Sequence, residues 1–104
     1  MAERLNKDSF QEKVLNALGL AIADFYSDSC IPCKKLSPIL ADLDEKYPDV
    51  YIGKVKIVYE QELIEEYSVM SSPVLIFFKN GEEVDRITGA VSKHKIEEAI
   101  EKNK

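Results

Sequence analysis

The sequence is poor in the residues that bind metals. Its 104 residues include two cysteines, Cys30 and Cys33, and a single histidine, His94. A structural zinc site needs about four nitrogen, sulfur or oxygen ligands. Two cysteines and one distant histidine fall short, and no carboxylates are spaced to complete the set. We therefore disfavour a zinc site built by one copy of the chain.

The sequence also lacks long apolar runs and an excess of positive charge. No run approaches the roughly 18 residues of a membrane helix, and the first ten residues have no apolar stretch typical of a secretory signal. We therefore expect no membrane attachment and, by default, a cytoplasmic location. The net charge of −5 argues against a nucleic-acid partner, since such proteins show a basic face.

The composition is typical of one globular domain. Hydrophobic residues make up 45% of the chain and charged residues 32%, and a chain of this length buries about two thirds of its unfolded surface. No repeat or linker divides it. We expect a single domain spanning residues 1–104, and nothing in the sequence demands more than a monomer.

The apolar pattern predicts alternating helices and strands. The predicted elements are a helix from Asn6 to about Leu18, a buried strand at 20–26, a helix from the cysteines to about Tyr47, an alternating strand at 50–59, a short helix at 60–67, a hairpin turning at Asn80-Gly81, and a helix capped by Ser92. This order predicts an α/β fold whose mixed sheet has helices on both faces.

Two of these elements have predicted faces. The inward face of the first helix is expected to comprise Phe10, Val14, Leu15 and Leu18. One face of the strand at 50–59 is expected to comprise Tyr51, Val55, Ile57 and Tyr59. Lys54 and Lys56 fall on its other face.

The cysteine pair has two readings besides a metal site. A structural disulfide would close a very small loop, so it would stabilise the folded state only slightly by restricting the unfolded chain. In the cytosol the bond would also tend to be reduced. A redox pair has a physical rationale. Cys30 lies near the N-cap of a helix, where unpaired N–H groups and the helix dipole stabilise a thiolate. Cys33, in the first turn, is placed to resolve a mixed disulfide. We favour the redox reading.

The residues around the pair fit that reading. Pro32 suits the first helical turn, where its missing N–H costs nothing. Lys34 and Lys35 add positive charge nearby, although plain solvated surface is the favoured reading for both. Asp24 lies within an apolar strand, where burial raises the pKa of a carboxyl. From the residues alone, Asp24 is equally an acid at a strand end or a functional group.

Two segments resemble the signatures of the thioredoxin family. The segment "DFYSDSCIPCKKLSPIL" (24–40) resembles the active-site segment, with a proline five residues after the second cysteine. The segment "SSPVLIFFKNGEEVDRITGAVSK" (71–93) resembles the second signature, which runs from a cis-proline through a buried strand and Lys-Asn-Gly to a glycine before the last helix. The similarity extends over nearly the whole chain. It implies a thioredoxin fold with a mixed sheet of about five strands flanked by four helices, and with Leu5 in a short edge strand.

The resemblance also implies catalytic roles and a dithiol–disulfide exchange activity. Cys30 would attack a protein disulfide and Cys33 would resolve the mixed disulfide. Asp24 would be the general base for Cys33, through water, and Lys54 would hold that carboxylate charged; a solvated Lys54 remains the alternative. A flavin-dependent thioredoxin reductase that uses NADPH would reset the pair, and no cofactor would bind this chain itself.

A substrate groove is implied as well. Sequence alone favours a trans bond before Pro73, whereas the resemblance implies a cis bond that turns the Ser72 backbone toward Cys30. The implied substrate-binding residues are Ile31, Pro32, Ser72, Pro73, Gly89 and Ala90. An extended substrate segment would pair with the exposed main chain there.

The chain departs from the family pattern at the contact surface. Tyr26 and Ser29 stand where the family usually has tryptophan, and Ile31 replaces the usual glycine. Ser71 and Ser72 stand in place of the usual apolar residue. These changes bear on partner choice and reduction potential.

Two alternatives to a general disulfide reductase stay open. One is an oxidant or isomerase of the same fold, whose members often carry histidine where this chain has Pro32. The other is a non-catalytic binding subunit. The presence of both cysteines and Asp24 argues against that alternative.

Overall fold

Helices and strands alternate along the chain as the apolar pattern predicts. The computed structural model describes residues 3–104. Its elements are, in chain order, β1 (Glu3–Arg4), α1 (Lys7–Phe10) with a π-helical continuation (Gln11–Leu15), β2 (Ala21–Tyr26), α2 (Ile31–Lys46), β3 (Tyr51–Lys56), α3 (Gln61–Glu66), β4 (Val74–Lys79), β5 (Glu82–Thr88) and α4 (Lys93–Asn103).

The described strands form one mixed sheet in the order β1-β3-β2-β4-β5. Strand β3 runs parallel to both β1 and β2, whereas β4 is antiparallel to β2 and β5. The two βαβ-type segments supply the parallel half, and the hairpin after β4 supplies the antiparallel half. The predicted α/β class, with five strands and four helices among residues 3–104, is therefore confirmed.

The period-two alternation of the strands divides the core between the two faces of the sheet. On one face, Ile22 and Phe77 pack with apolar residues of α2 and α4. On the other face, Phe25 and Phe78 pack with residues of α1 and α3. Since residues 22 and 24 point the same way, Asp24 lies on the face covered by α2, the helix that carries the cysteines.

The first helix is shorter than predicted. Asn6 is its N-cap and forms a capping box with Ser9. Helical structure ends at Leu15, and Leu18 is fully exposed, so its predicted burial was wrong. A π-helical turn, in which the Asn16 N–H donates to the Gln11 carbonyl, shifts the phase of the apolar face and closes the helix early.

Strand β3 also ends earlier than the sequence alternation suggests. It stops at Lys56, because β2, its partner, ends at Tyr26. The chain then turns, the Tyr59 N–H donates to the Lys56 carbonyl, and Tyr59 is exposed rather than facing the core. Leu5 follows the edge strand β1 instead of lying in it. Its side chain is buried, and its N–H donates to the Lys54 carbonyl at 2.7 Å.

The hairpin and the last helix match their predictions. Asn80 and Gly81 both have positive φ, at 54° and 80°, as a two-residue turn between right-twisted strands requires. Ser92 caps α4, and its side chain accepts from the Lys95 N–H. Across residues 3–104, no helix combines the length and apolar character that crossing a bilayer would require.

The exposure of Leu18 gives a first prediction. Leu18→Ala should lower the free energy of unfolding by less than about 0.5 kcal/mol, because the side chain contacts water. Leu40→Ala, the same chemical change at a buried position of α2, should cost about 2–5 kcal/mol. Urea denaturation of both variants measures the difference. Similar costs at the two positions would mean that Leu18 packs in the core after all.

Candidate active site

The cysteine pair lies where β2 leads into α2. Cys30 is the N-cap of α2 and Cys33 lies in the first turn, and the two form a disulfide with Cα atoms 5.2 Å apart. The Cys33 N–H donates to Cys30 Sγ at 3.1 Å. Cys30 is 9% exposed and Cys33 6% exposed. The more accessible of the two sulfur-bearing residues is therefore the one at the helix end.

The surroundings of Cys30 favour a negatively charged sulfur. No acidic residue lies in the first turn of α2, so the positive end of the helix dipole is not offset by a nearby carboxylate within the helix. Pro32 occupies this turn, as predicted, and lacks an N–H that would need a partner. When the disulfide is reduced, the Cys33 N–H is positioned to donate to a Cys30 thiolate.

Asp24 is a buried carboxyl beneath this helix. Its side chain is 1% exposed, and Oδ1 has no hydrogen-bond partner among the residues that the structure describes. Burial raises the pKa of Asp24 to about 7, because the charged form loses its hydration, while the Lys54 ammonium acts in the opposite direction. Asp24 is therefore poised to exchange a proton near neutral pH.

One pocket connects Asp24 with Cys33. Its volume is about 160 Å³, and its wall includes Asp24, Cys33 and Lys54. It is large enough to admit water. The remaining lining residues are Tyr26, Ser27, Asp28, Lys34 and Ser37. A wider groove of about 770 Å³ follows α4 near His94 and includes none of the predicted site residues.

The Pro73 segment is tied to both sides of the site. The Ser72–Pro73 bond is cis, as the family resemblance implied. The Ser72 and Ser27 hydroxyl oxygens are 3.5 Å apart, which links this segment to the residues just before Cys30. The Gly89 N–H donates to the Pro73 carbonyl at 2.8 Å.

The structure thus brings the predicted residues together in two groups. Cys30, Cys33, Asp24 and Lys54 are joined by the disulfide and the shared pocket. Ser72 and Pro73 share the cis peptide bond, and the Gly89 N–H donates to the Pro73 carbonyl. The remaining predicted site residues are exposed, namely Ile31, Pro32 and Ala90.

Sequence reasoning missed two residues of the site. Ser27 faces Ser72, and no local pattern indicates this contact between segments that are 45 residues apart. The Tyr26 ring lies 4.6 Å from Lys54 Nζ. Tyr26 departs from the family pattern, but its contact with Lys54 can be recognised only once the register between β2 and β3 is known.

Within residues 3–104, no group of three or more histidine, cysteine, aspartate or glutamate side chains is arranged to hold a metal ion.

Together the fold and the site define a class of protein. A disulfide at the N-terminus of a helix, above a buried acid in a mixed α/β sheet, is the arrangement of a thiol–disulfide oxidoreductase. Comparison with known proteins agrees. The sequence profile of the family described as Thioredoxin matches residues 1–102. The chain belongs to the thioredoxin family, and it has the protein-disulfide reductase chemistry of that family.

Individual relatives show how far the similarity extends. Thioredoxin of Chlamydia pneumoniae is 37% identical over 103 residues, which cover 99% of each chain. Thioredoxin of Chlamydia caviae is 46% identical over 77 residues, covering 74% of this chain and 76% of the relative. The X-ray structure of Fasciola hepatica thioredoxin superposes with a TM-score of 0.90 at 30% identity and covers all of both chains.

The burial of Asp24 predicts a pH-dependent stability. The pKa is about 7 in the folded protein against 3.8 for the free carboxyl, so between these values the folded state binds more protons than the unfolded state. The free energy of unfolding of the oxidised protein should therefore fall as pH rises from about 4 to about 7, by about 4 kcal/mol, and then level off.

The variant Asp24→Asn should lose this fall and be more stable than the parent at pH 8. Urea denaturation of the oxidised proteins at pH 4, 6 and 8 measures the effect. Asp49→Asn, at an exposed position, is the matched control and should keep the pH slope of the parent. Equal slopes in all three proteins would show that Asp24 does not titrate as described.

Proposed function

We propose that this chain is a general protein disulfide reductase and electron carrier that cycles between a Cys30–Cys33 dithiol and disulfide. One observation carries the proposal: the disulfide lies at the N-terminus of α2, and Cys33 shares a pocket with the buried Asp24. The first feature suits a nucleophile, and the second suits a base for the resolving thiol.

Cys30 acts first in this mechanism. Its thiolate, stabilised by the helix end, attacks one sulfur of a substrate disulfide. The substrate S–S bond breaks as the bond between Cys30 and the substrate forms. The displaced substrate sulfur leaves as a thiolate and takes a proton from water. The product of this step is a mixed disulfide.

Cys33 completes the exchange. Asp24 accepts the Cys33 proton through water in the pocket, and the Cys33 thiolate attacks the Cys30 sulfur. The mixed disulfide breaks, the Cys30–Cys33 bond forms, and the second substrate sulfur leaves. Two electrons have then passed from the dithiol to the substrate. The Lys54 ammonium stabilises the Asp24 carboxylate before it accepts the proton.

The substrate would bind across the cis-Pro73 segment. Ser72, Gly89 and Ala90 border this segment, and the backbone there would pair with an extended peptide. Ile31 is 66% exposed beside Cys30, so together with Pro32 it would contact the residues next to the substrate disulfide. These positions would determine which disulfides are reduced.

A reductase must return the oxidised pair to the dithiol. We propose a flavin-dependent thioredoxin reductase as the electron donor, protein disulfides as the acceptors, and the cytoplasm as the location. A thiol-reducing compartment fits a pair that donates electrons. Residues 1–104 would act as one monomeric domain.

The reduction potential separates a reductase from an oxidant or isomerase. Pro32 in place of histidine removes one group that would stabilise the dithiol, so we expect a potential close to about −270 mV. Equilibration in dithiol buffers, followed by alkylation and mass counting of the modified thiols, measures it without tryptophan fluorescence. A value between about −120 and −180 mV would instead indicate an oxidant or isomerase.

Single cysteine variants test the order of the two steps. Cys33→Ser should accumulate a mixed disulfide through Cys30, because the resolving thiol is absent. Cys30→Ser should abolish turnover and form no such adduct. Mass spectrometry after reaction with a protein disulfide detects the adduct. If Cys30→Ser retained its partners and the parent never reduced a disulfide, the chain would be a binding subunit.

A further inference from the structure

The Lys54 ammonium lies over an aromatic ring. Lys54 Nζ lies 4.6 Å from the centroid of the Tyr26 ring, within the distance at which a cation is attracted to a ring face. Among residues 3–104, no carboxylate forms a close ion pair with Lys54. The ring contact is therefore one interaction that can hold this side chain in place.

The geometry of the two strands creates this contact. Asp24 lies opposite Lys54 in the parallel pair of β2 and β3, and Tyr26 lies opposite Lys56. Residues 24 and 26 point to the same face of β2, as residues 54 and 56 do on β3. Tyr26 is thus the diagonal neighbour of Lys54, and both line the pocket of Asp24 and Cys33.

The carboxylate of Asp28, which could otherwise attract Lys54, already forms an ion pair with another lysine. Asp28 lines the same pocket and would attract Lys54, but Lys56 Nζ lies 2.5 Å from Asp28 Oδ2. Lys56 is also 4.7 Å from the centroid of the Tyr59 ring. With Asp28 paired in this way, the attraction that remains for Lys54 is divided between the Tyr26 ring and Asp24.

We propose that Tyr26 is a positioning residue for the resolving step. The face of its ring holds the Lys54 ammonium beside the pocket, close enough to stabilise the Asp24 carboxylate that receives the Cys33 proton. This inference rests on the function proposed above. It assigns a role to the aromatic position at which this chain departs from the family pattern.

Several charged or titratable groups face the pocket, and a test must distinguish their effects on the Asp24 carboxyl. Strand β2 contributes Asp24 and Tyr26, and β3 contributes Lys54, with Lys56 held on Asp28. Helix α2 contributes Cys33 and Lys34. In the oxidised protein Cys33 is in the disulfide and does not titrate. The titration of Asp24 in that form therefore reports on the fixed charges around it.

The experiment follows the Asp24 carboxyl by carbon-13 NMR against pH in the oxidised protein. The variants are Tyr26→Phe, Tyr26→Leu, Lys54→Met and the double variant Tyr26→Leu/Lys54→Met. Tyr26→Phe, which keeps the ring, should leave the titration midpoint unchanged. Tyr26→Leu should raise it by about half a pH unit, since the ammonium is released from the pocket. Lys54→Met should raise it at least as much.

The double variant distinguishes positioning from a general packing role. Because Tyr26 acts through Lys54, the double variant should titrate no higher than Lys54→Met alone. Additive shifts, or an unchanged midpoint in Tyr26→Leu, would overturn the proposal. So would a shift in Tyr26→Phe equal to that in Tyr26→Leu.

A second variant covers the case in which Tyr26→Leu does not fold. Tyr26→Trp presents the ring that binds cations best, so Lys54→Met should shift the midpoint more in that background than in the parent. An equal or smaller shift would overturn the proposal. The NMR titration does not depend on turnover. Loss of the proposed reductase function would instead appear as a parent protein that reduces no disulfide.

Discussion

The buried carboxyl of Asp24 is the constraint around which the site is organised. A charged carboxylate in an apolar layer is unfavourable, so the folded protein holds the proton more tightly than water would. The layer tolerates this group because its other members pack as an ordinary core between the sheet and helices α2 and α4. The same burial that costs stability gives Asp24 a pKa near neutrality, which a base for a thiol needs. Stability and chemistry are therefore opposed at this position.

The two cysteines occupy different surroundings although they are three residues apart. Cys30 caps α2, where the helix end and the Cys33 N–H favour negative charge. Cys33 lies inward, beside a pocket whose acid carries a proton through part of the physiological range. This difference fits the proposed order, in which Cys30 attacks and Cys33 waits for a base.

Local sequence signals predicted most of the fold, and contacts between distant segments account for what was missed. The apolar run at 20–26, broken by Asp24, the cap at Ser92 and the turn at Asn80-Gly81 depend on neighbouring residues, so they could be read directly. The exposure of Leu18 could not be predicted, because a π-helical turn changes which side chains face the core. The exposure of Tyr59 could not be predicted, because β3 ends where its partner β2 ends, and the end of β2 is determined by a different segment of the chain. The cis bond at Pro73 came from the family resemblance alone, since the local preference is for trans.

The departures from the family pattern fall on a different set of positions from the chemistry. Ser29 and Ile31 are exposed beside Cys30 and contact whatever approaches it. The two cysteines and Asp24 are buried and keep the family's residue types. Substitutions at the rim can change which disulfides bind while the proton and electron transfers stay the same, because the rim does not enter the pocket. Tyr26 is the exception, since it lines that pocket and contacts Lys54. Of Tyr26, Ser29 and Ile31, it is therefore the one whose side chain lines the pocket of Asp24 and Cys33.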